Sequence, residues 1–146
     1  MKKRLLLVGL VVLSLALLAG CKPSEENLGL VTVSLNGDPD SGYAWSYEIM
    51  EPVIFKEESN GYEERAAQSD ATVEGGTYSW TFLPEKYGRT DIVFTYAKAD
   101  AAAEEEALYT VSYTLSSDKT GQLKFEGSSG NYPDSAVPLI VNKPAK

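Results

Sequence analysis

The chain has 146 residues, with 13 Lys and Arg against 21 Asp and Glu, a formal net charge of −8, no histidine and one cysteine, Cys21. Without histidine, Ser-His and Cys-His hydrolysis and histidine-based metal sites are excluded, and a lone cysteine excludes an intrachain disulfide, so stability must come from a core. So acidic a chain disfavours nucleic acid and favours a basic partner protein.

Lys2, Lys3 and Arg4 precede an uncharged run of 16 residues from Leu5 to Gly20, the basic and apolar regions of an export signal. The run is shorter than the roughly 20 residues that cross a bilayer as a helix. It ends in Leu18-Ala19-Gly20-Cys21, which is similar to the lipobox of bacterial lipoproteins. That likeness implies cleavage before Cys21 and lipid on its sulfur; the alternative is an ordinary secretory signal that happens to end before a cysteine. Two acyl chains, at ~0.8 kcal/mol per buried methylene, suffice for lasting anchorage where one does not. The expected location is the cell envelope, lipid-anchored to the outward face of a membrane. Without residues 1–20 the chain keeps 126 residues, with 10 basic against 21 acidic groups and a charge of −11. That is enough for one domain. Residues 21–27, with Pro23, Ser24, Glu25 and Glu26, read as a lipidated tether, 28–126 as the folded domain and 127–146 as a C-terminal extension.

From Leu28 onward the apolar period is two. Val31, Val33 and Leu35 alternate with Thr32, Ser34 and Asn36. The same pattern returns in Trp45, Tyr47 and Ile49, in Tyr78, Trp80 and Phe82, in Ile92, Phe94 and Tyr96, and in Tyr109, Val111, Tyr113 and Leu115. Turn signals separate the runs: Asp38-Pro39-Asp40-Ser41-Gly42, Asn60-Gly61, Gly75-Gly76, Tyr87-Gly88 and Asp118-Lys119-Thr120-Gly121. Short alternating strands between turns predict an all-β sandwich or barrel. Residues 100–107, rich in Ala and Glu but without an apolar stripe, read as an acidic loop. Residues 108–125 read as the last hairpin, 127–132 as a Gly/Ser/Asn linker and 137–141 as an edge strand.

Other chemistry is thin. Asp38, Asp40 and Gly42 begin like a calcium loop, but the fifth and twelfth positions hold Gly42 and Ile49, not oxygen ligands, so the match fails and no metal is expected. No glycine-rich phosphate loop opens a helix, and no cofactor is expected. Glu57-Glu58 and Glu63-Glu64 read as solvated charge, not as a catalytic carboxylate pair.

Three stretches in order, Asp38-Pro39-Asp40-Ser41-Gly42-Tyr43-Ala44-Trp45, Gly75-Gly76-Thr77-Tyr78 and 91–96, resemble the chagasin-like inhibitors of papain-type cysteine peptidases. The family's first motif reads Asn-Pro-Thr-Thr-Gly-aromatic-x-Trp, of which this chain keeps Pro39, Gly42, Tyr43 and Trp45. The second is a Gly-Gly pair opening a strand, matched by Gly75 and Gly76. The resemblance implies an immunoglobulin-like β-sandwich that is no enzyme and that blocks a peptidase cleft reversibly with three loops, here 38–43, 72–77 and 97–107. It implies peptidase contacts from Asp38, Pro39, Asp40, Ser41, Gly42, Tyr43, Trp45, Gly75, Gly76, Thr77, Tyr78 and Lys98, in a monomer whose partner is a papain-like cysteine peptidase. The third loop departs from the family. Where the family has Arg-Pro-Trp, this chain has Ala97-Lys98-Ala99-Asp100. Losing an aromatic hot spot costs at least ~2 kcal/mol, or about thirtyfold in affinity. The rival expectation is a non-inhibitory immunoglobulin-like lipoprotein that binds another envelope or host protein.

Overall fold

The computed structural model describes residues 29–65, 70–100 and 106–142. The expected export signal, Cys21, the expected tether and most of the acidic stretch 100–107 lie outside the described residues. Eight strands follow in order: β1 (Leu30–Gly37), β2 (Tyr43–Ile49), β3 (Phe55–Glu64), β4 (Gly76–Pro84), β5 (Gly88–Lys98), β6 (Tyr109–Ser117), β7 (Leu123–Gly130) and β8 (Leu139–Val141). They form two four-stranded sheets, β3-β4-β1-β8 and β2-β5-β6-β7, with antiparallel neighbours. This is the all-β sandwich that the alternating runs predict.

The alternation produces the fold directly. Val31, Val33 and Leu35 of β1 and Phe82 of β4 face Ile92, Phe94, Val111, Tyr113 and Leu115 of the other sheet, all at most 2% exposed. Each such side chain contributes roughly 1.5–3 kcal/mol. Together they exceed the ~2–4 kcal/mol that a disulfide would add, so a domain without a disulfide is held by its core. On the outer face of the first sheet the intervening residues pair across strands, Thr32 with Thr81 at 3.2 Å and Ser34 with Ser79 at 3.3 Å. Trp45, Tyr47 and Ile49 are half-buried because β2 is an edge strand.

Three expectations change. Asn60-Gly61 is not a turn: it lies within β3, opposite Trp80 and Ser79. Strand β3 is an edge strand with a bulge between Glu57 and Ser59, so it tolerates polar residues on both faces and carries no period-two signal. Glu57 is likewise not free surface charge. Its carboxylate accepts from the Tyr47 hydroxyl of the other sheet and from Asn60 Nδ2, and the Tyr47 bond above all holds it below the usual glutamate range. Finally, 127–132 is no linker, because β7 runs to Gly130 and Tyr132 is 5% exposed in the core. The folded unit also continues to β8, which pairs with β1 as the expected edge strand, Leu30 opposite Val141. Asn142 ties that strand to the second sheet, accepting from Leu123 N at 2.7 Å and donating to Leu123 O at 2.8 Å.

Tyr113 is 1% exposed and its hydroxyl has no hydrogen-bond partner among the described residues. An unpaired buried hydroxyl is a liability, so Tyr113→Phe should raise the unfolding free energy by about 1 kcal/mol in a urea titration. Burial pushes the phenols of Tyr47, Tyr113 and Tyr132 up to about 12. The unfolded chain loses these protons first. These groups therefore leave stability unchanged below pH 10 and lower it as pH rises from 10 through 12, because the fold disfavours the phenolates, which phenolate absorbance and urea midpoints recorded together will reveal.

Candidate functional site

The register brings three loops to one end of the sandwich. Gly37, the last residue of β1, pairs with Gly76, the first of β4, and Tyr43 opening β2 pairs with Lys98 closing β5. The β1–β2 loop, the β3–β4 loop and the β5–β6 loop therefore share that end, while β1 begins at the other.

The first loop is a short 3₁₀ turn, Pro39–Ser41, and its own side chains hold it rigid. Asp38 caps it, accepting from Asp40 N at 2.9 Å, and Pro39 fixes φ at its first position. Ser41 Oγ donates to Asp38 O at 2.6 Å and accepts from Tyr43 N at 3.2 Å. Gly42 ends the turn at φ +81°, a conformation that costs other residues roughly 1–2 kcal/mol. Pro39, Asp40, Ser41 and Gly42 are exposed, so the tip is both presented and pre-organised.

Beneath the tip lies a set of stacked rings. Tyr43 stacks on Tyr96 at 5.5 Å, and Trp45 packs on Tyr96 at 4.8 Å. Tyr96 Oη accepts from Asp38 N at 3.2 Å and lies 3.2 Å from Ser41 Oγ. Trp45 Nε1 donates to Asn36 O at 2.9 Å, so this half-buried side chain supports the tip from below. Ala99 N donates to Gly42 O at 2.9 Å, joining the first loop to the third. Lys98 is exposed beside that junction.

The second loop meets the first through glycine. A Cβ on Gly75 would lie 2.6 Å from the Asp38 Cα, and Gly75 has φ +101°. Gly76 is buried, and a Cβ there would sit 2.6 Å from the Tyr62 ring. The Gly-Gly pair thus permits close approach of two loops, and neither residue has a side chain to offer a partner. Thr77 Oγ1 donates to Asn36 Oδ1 at 3.3 Å, and Tyr78 lies half-buried between Tyr62 and Trp80.

The structure adds residues that sequence reasoning missed. Tyr132 Oη accepts from Asn36 N at 2.7 Å, and its ring meets Trp45 edge-on at 5.3 Å. Asp134 accepts from Thr72 N at 3.0 Å, Val73 N at 2.9 Å and Asn36 Nδ2 at 3.2 Å. Burial pushes its carboxyl up, but these donors outweigh that and hold it below the usual aspartate range. Arg65 donates to Val73 O. The local pattern Asn131-Tyr132-Pro133-Asp134 signals only a turn; its partners lie 21 to 98 residues away in sequence. Among the described residues no group of three or more His, Cys, Asp or Glu side chains converges as a metal site.

The end is electrostatically one-sided. Asp38, Asp40, Asp70, Glu74, Asp100 and Glu106 are on its loops, and Arg65 and Lys98 are the described cations beside them. Gly75→Ala, which adds both a clash and a strained φ, should cost about 3 kcal/mol in denaturant unfolding, whereas Gly61→Ala, with nothing within 4 Å of the new Cβ, should be nearly neutral.

Among known proteins, the model of the chagasin family peptidase inhibitors, I42, matches residues 29–115. No curated protein sequence matches the chain. Among solved structures, the cysteine protease inhibitor EhICP2 from Entamoeba histolytica is similar with a TM-score of 0.50 and 22% identity, over 58% of this chain and 75% of that one. At that identity the likeness speaks for a common immunoglobulin-like fold. With the family model matching more than half of its length, the chain belongs to the chagasin family of peptidase inhibitors and is not an enzyme.

Proposed function

We propose that the chain inhibits papain-like cysteine peptidases by lodging its three loops in the active-site cleft, reversibly and without a covalent step. The observation that carries this is the convergence of the loops, with Gly75 packed on Gly37 and Asp38 and with Ala99 bonded to Gly42. A cleft-filling inhibitor gains most when its loops are already in the bound geometry, because ordering them on binding costs about 0.5–1.5 kcal/mol per immobilised side chain. The small residues Ser41 and Gly42 form the tip that enters deepest, and Asp40 and Tyr43 flank it. The β3–β4 loop lines one wall and the β5–β6 loop the other.

The third loop has no family tryptophan. Among its described residues the large apolar side chain it offers is Leu108, 44% exposed. This departure favours the second reading, a non-inhibitory module that docks on another protein. A target with a basic cleft rim suits the acidic loop end, and such association slows as salt rises.

Lipid on Cys21 holds the protein at a membrane surface in this reading. Strand β1 enters at Leu30 and reaches the loops after eight residues, about 25 Å away at ~3.3 Å per residue. A tether at that entry leaves the loops directed away from the membrane.

Titrating the protein against papain and cathepsin-type enzymes should give inhibition below micromolar concentration. Folded protein with no effect at that level rejects the inhibitor reading for these targets. Gly42→Glu should weaken inhibition at least thirtyfold; nothing lies within 4 Å of a Cβ there, so the cost to the fold is the roughly 1–2 kcal/mol of the left-handed φ alone. Cys21→Ser should move the protein from the membrane to the soluble fraction, and an unchanged distribution would reject lipid anchoring.

A further inference from the structure

The segment 131–134 lies beyond the residues matched by the family model, yet it touches the base of all three loops. At the third loop, Asn131 Oδ1 accepts from Thr110 N at 2.7 Å and Nδ2 donates to Leu108 O at 3.3 Å. At the first, Tyr132 accepts from Asn36 N and packs on Trp45, the ring beneath the tip. At the second, the Asp134 carboxylate receives Thr72 N and Val73 N, which belong to no strand. The path is forced at its start: Gly130 has φ +127°, and a Cβ there would sit 2.9 Å from the Thr110 carbonyl carbon. Three of four consecutive residues, Asn131, Tyr132 and Asp134, thus bond to loop bases that the chain order separates widely.

We propose that segment 131–134 is a positioning device that fixes the three loops relative to one another, with Asp134 setting the place of the second loop in the peptidase cleft. Its role in inhibition rests on the proposed function above; its role in loop placement does not. Neutral partners would serve less well. Two backbone N–H groups and the Asn36 amide point at one carboxylate, and bonds to a charged acceptor are about twice as strong as neutral ones.

The test compares wild type, Asp134→Ala and Asp134→Asn, each purified whole in mild detergent, by amide hydrogen exchange and peptidase inhibition. In Asp134→Ala, exchange in residues 70–75 should accelerate at least tenfold while residues 91–96 of β5 keep their protection, and the inhibition constant should rise about tenfold. Asp134→Asn, which keeps one acceptor oxygen, should fall between the two in both measurements and also covers the case in which the alanine variant does not fold. Unchanged exchange at 70–75, or loss of protection across all strands alike, overturns the positioning role. Faster exchange at 70–75 with an unchanged inhibition constant overturns its link to the cleft. A wild type that inhibits no peptidase removes the inhibitor reading, and the exchange comparison alone then decides the segment's role in placing the loops.

Discussion

The loop-bearing end depends on how closely two stretches of backbone approach. Gly75 lies against Gly37 and Asp38 with no room for a side chain, and this contact fixes the distance between the first two loops. It follows from the β1–β4 register, in which Gly37 and Gly76 are opposite. Shifting that register by one residue would also turn Val31, Val33 and Leu35 out of the core. Loop spacing and core packing are therefore set by the same pairing, and the site inherits the rigidity of the sandwich.

A second layer transmits that rigidity to the tip. Tyr96, near the end of the inner strand β5, packs beneath Tyr43 and Trp45 and hydrogen-bonds the Asp38 amide. Tyr109 and Tyr132 continue the cluster, with centroids 6.0 to 6.1 Å apart along the chain of rings. Buried rings contribute large apolar area together with a polar handle, so each can pack and also satisfy a backbone group at the loop base. Motif residues thus divide by role. Asp40, Ser41 and Gly42 are offered to solvent, whereas Trp45 and Gly76 hold what is offered.

Much of this was legible in the chain itself. Five alternating runs marked β1, β2, β4, β5 and β6, because a half-buried strand imposes period two on its own residues. Pro39 and Gly42 marked the first loop for a similarly local reason: each restricts or permits a backbone angle whatever lies around it. Strand β3 was not legible, since its pairing with β4 is all that makes 55–64 a strand, and an edge position with a bulge left no apolar rhythm. The end of β7 was hidden in the same way by Gly127, Ser128, Ser129 and Gly130.

By itself, then, the sequence determined the period-two strands, the absence of histidine chemistry and the motifs of a peptidase-inhibitor family. Only the tertiary structure decided that three loops meet at one end, that Gly75 and Gly76 act as spacers, and that residues 131–134 hold the loop bases. The physical reason is range. Backbone preference and burial period act within a few residues, while Asp134 and Tyr132 reach Asn36 across 98 and 96 positions, and such a contact leaves no trace in the residues on either side.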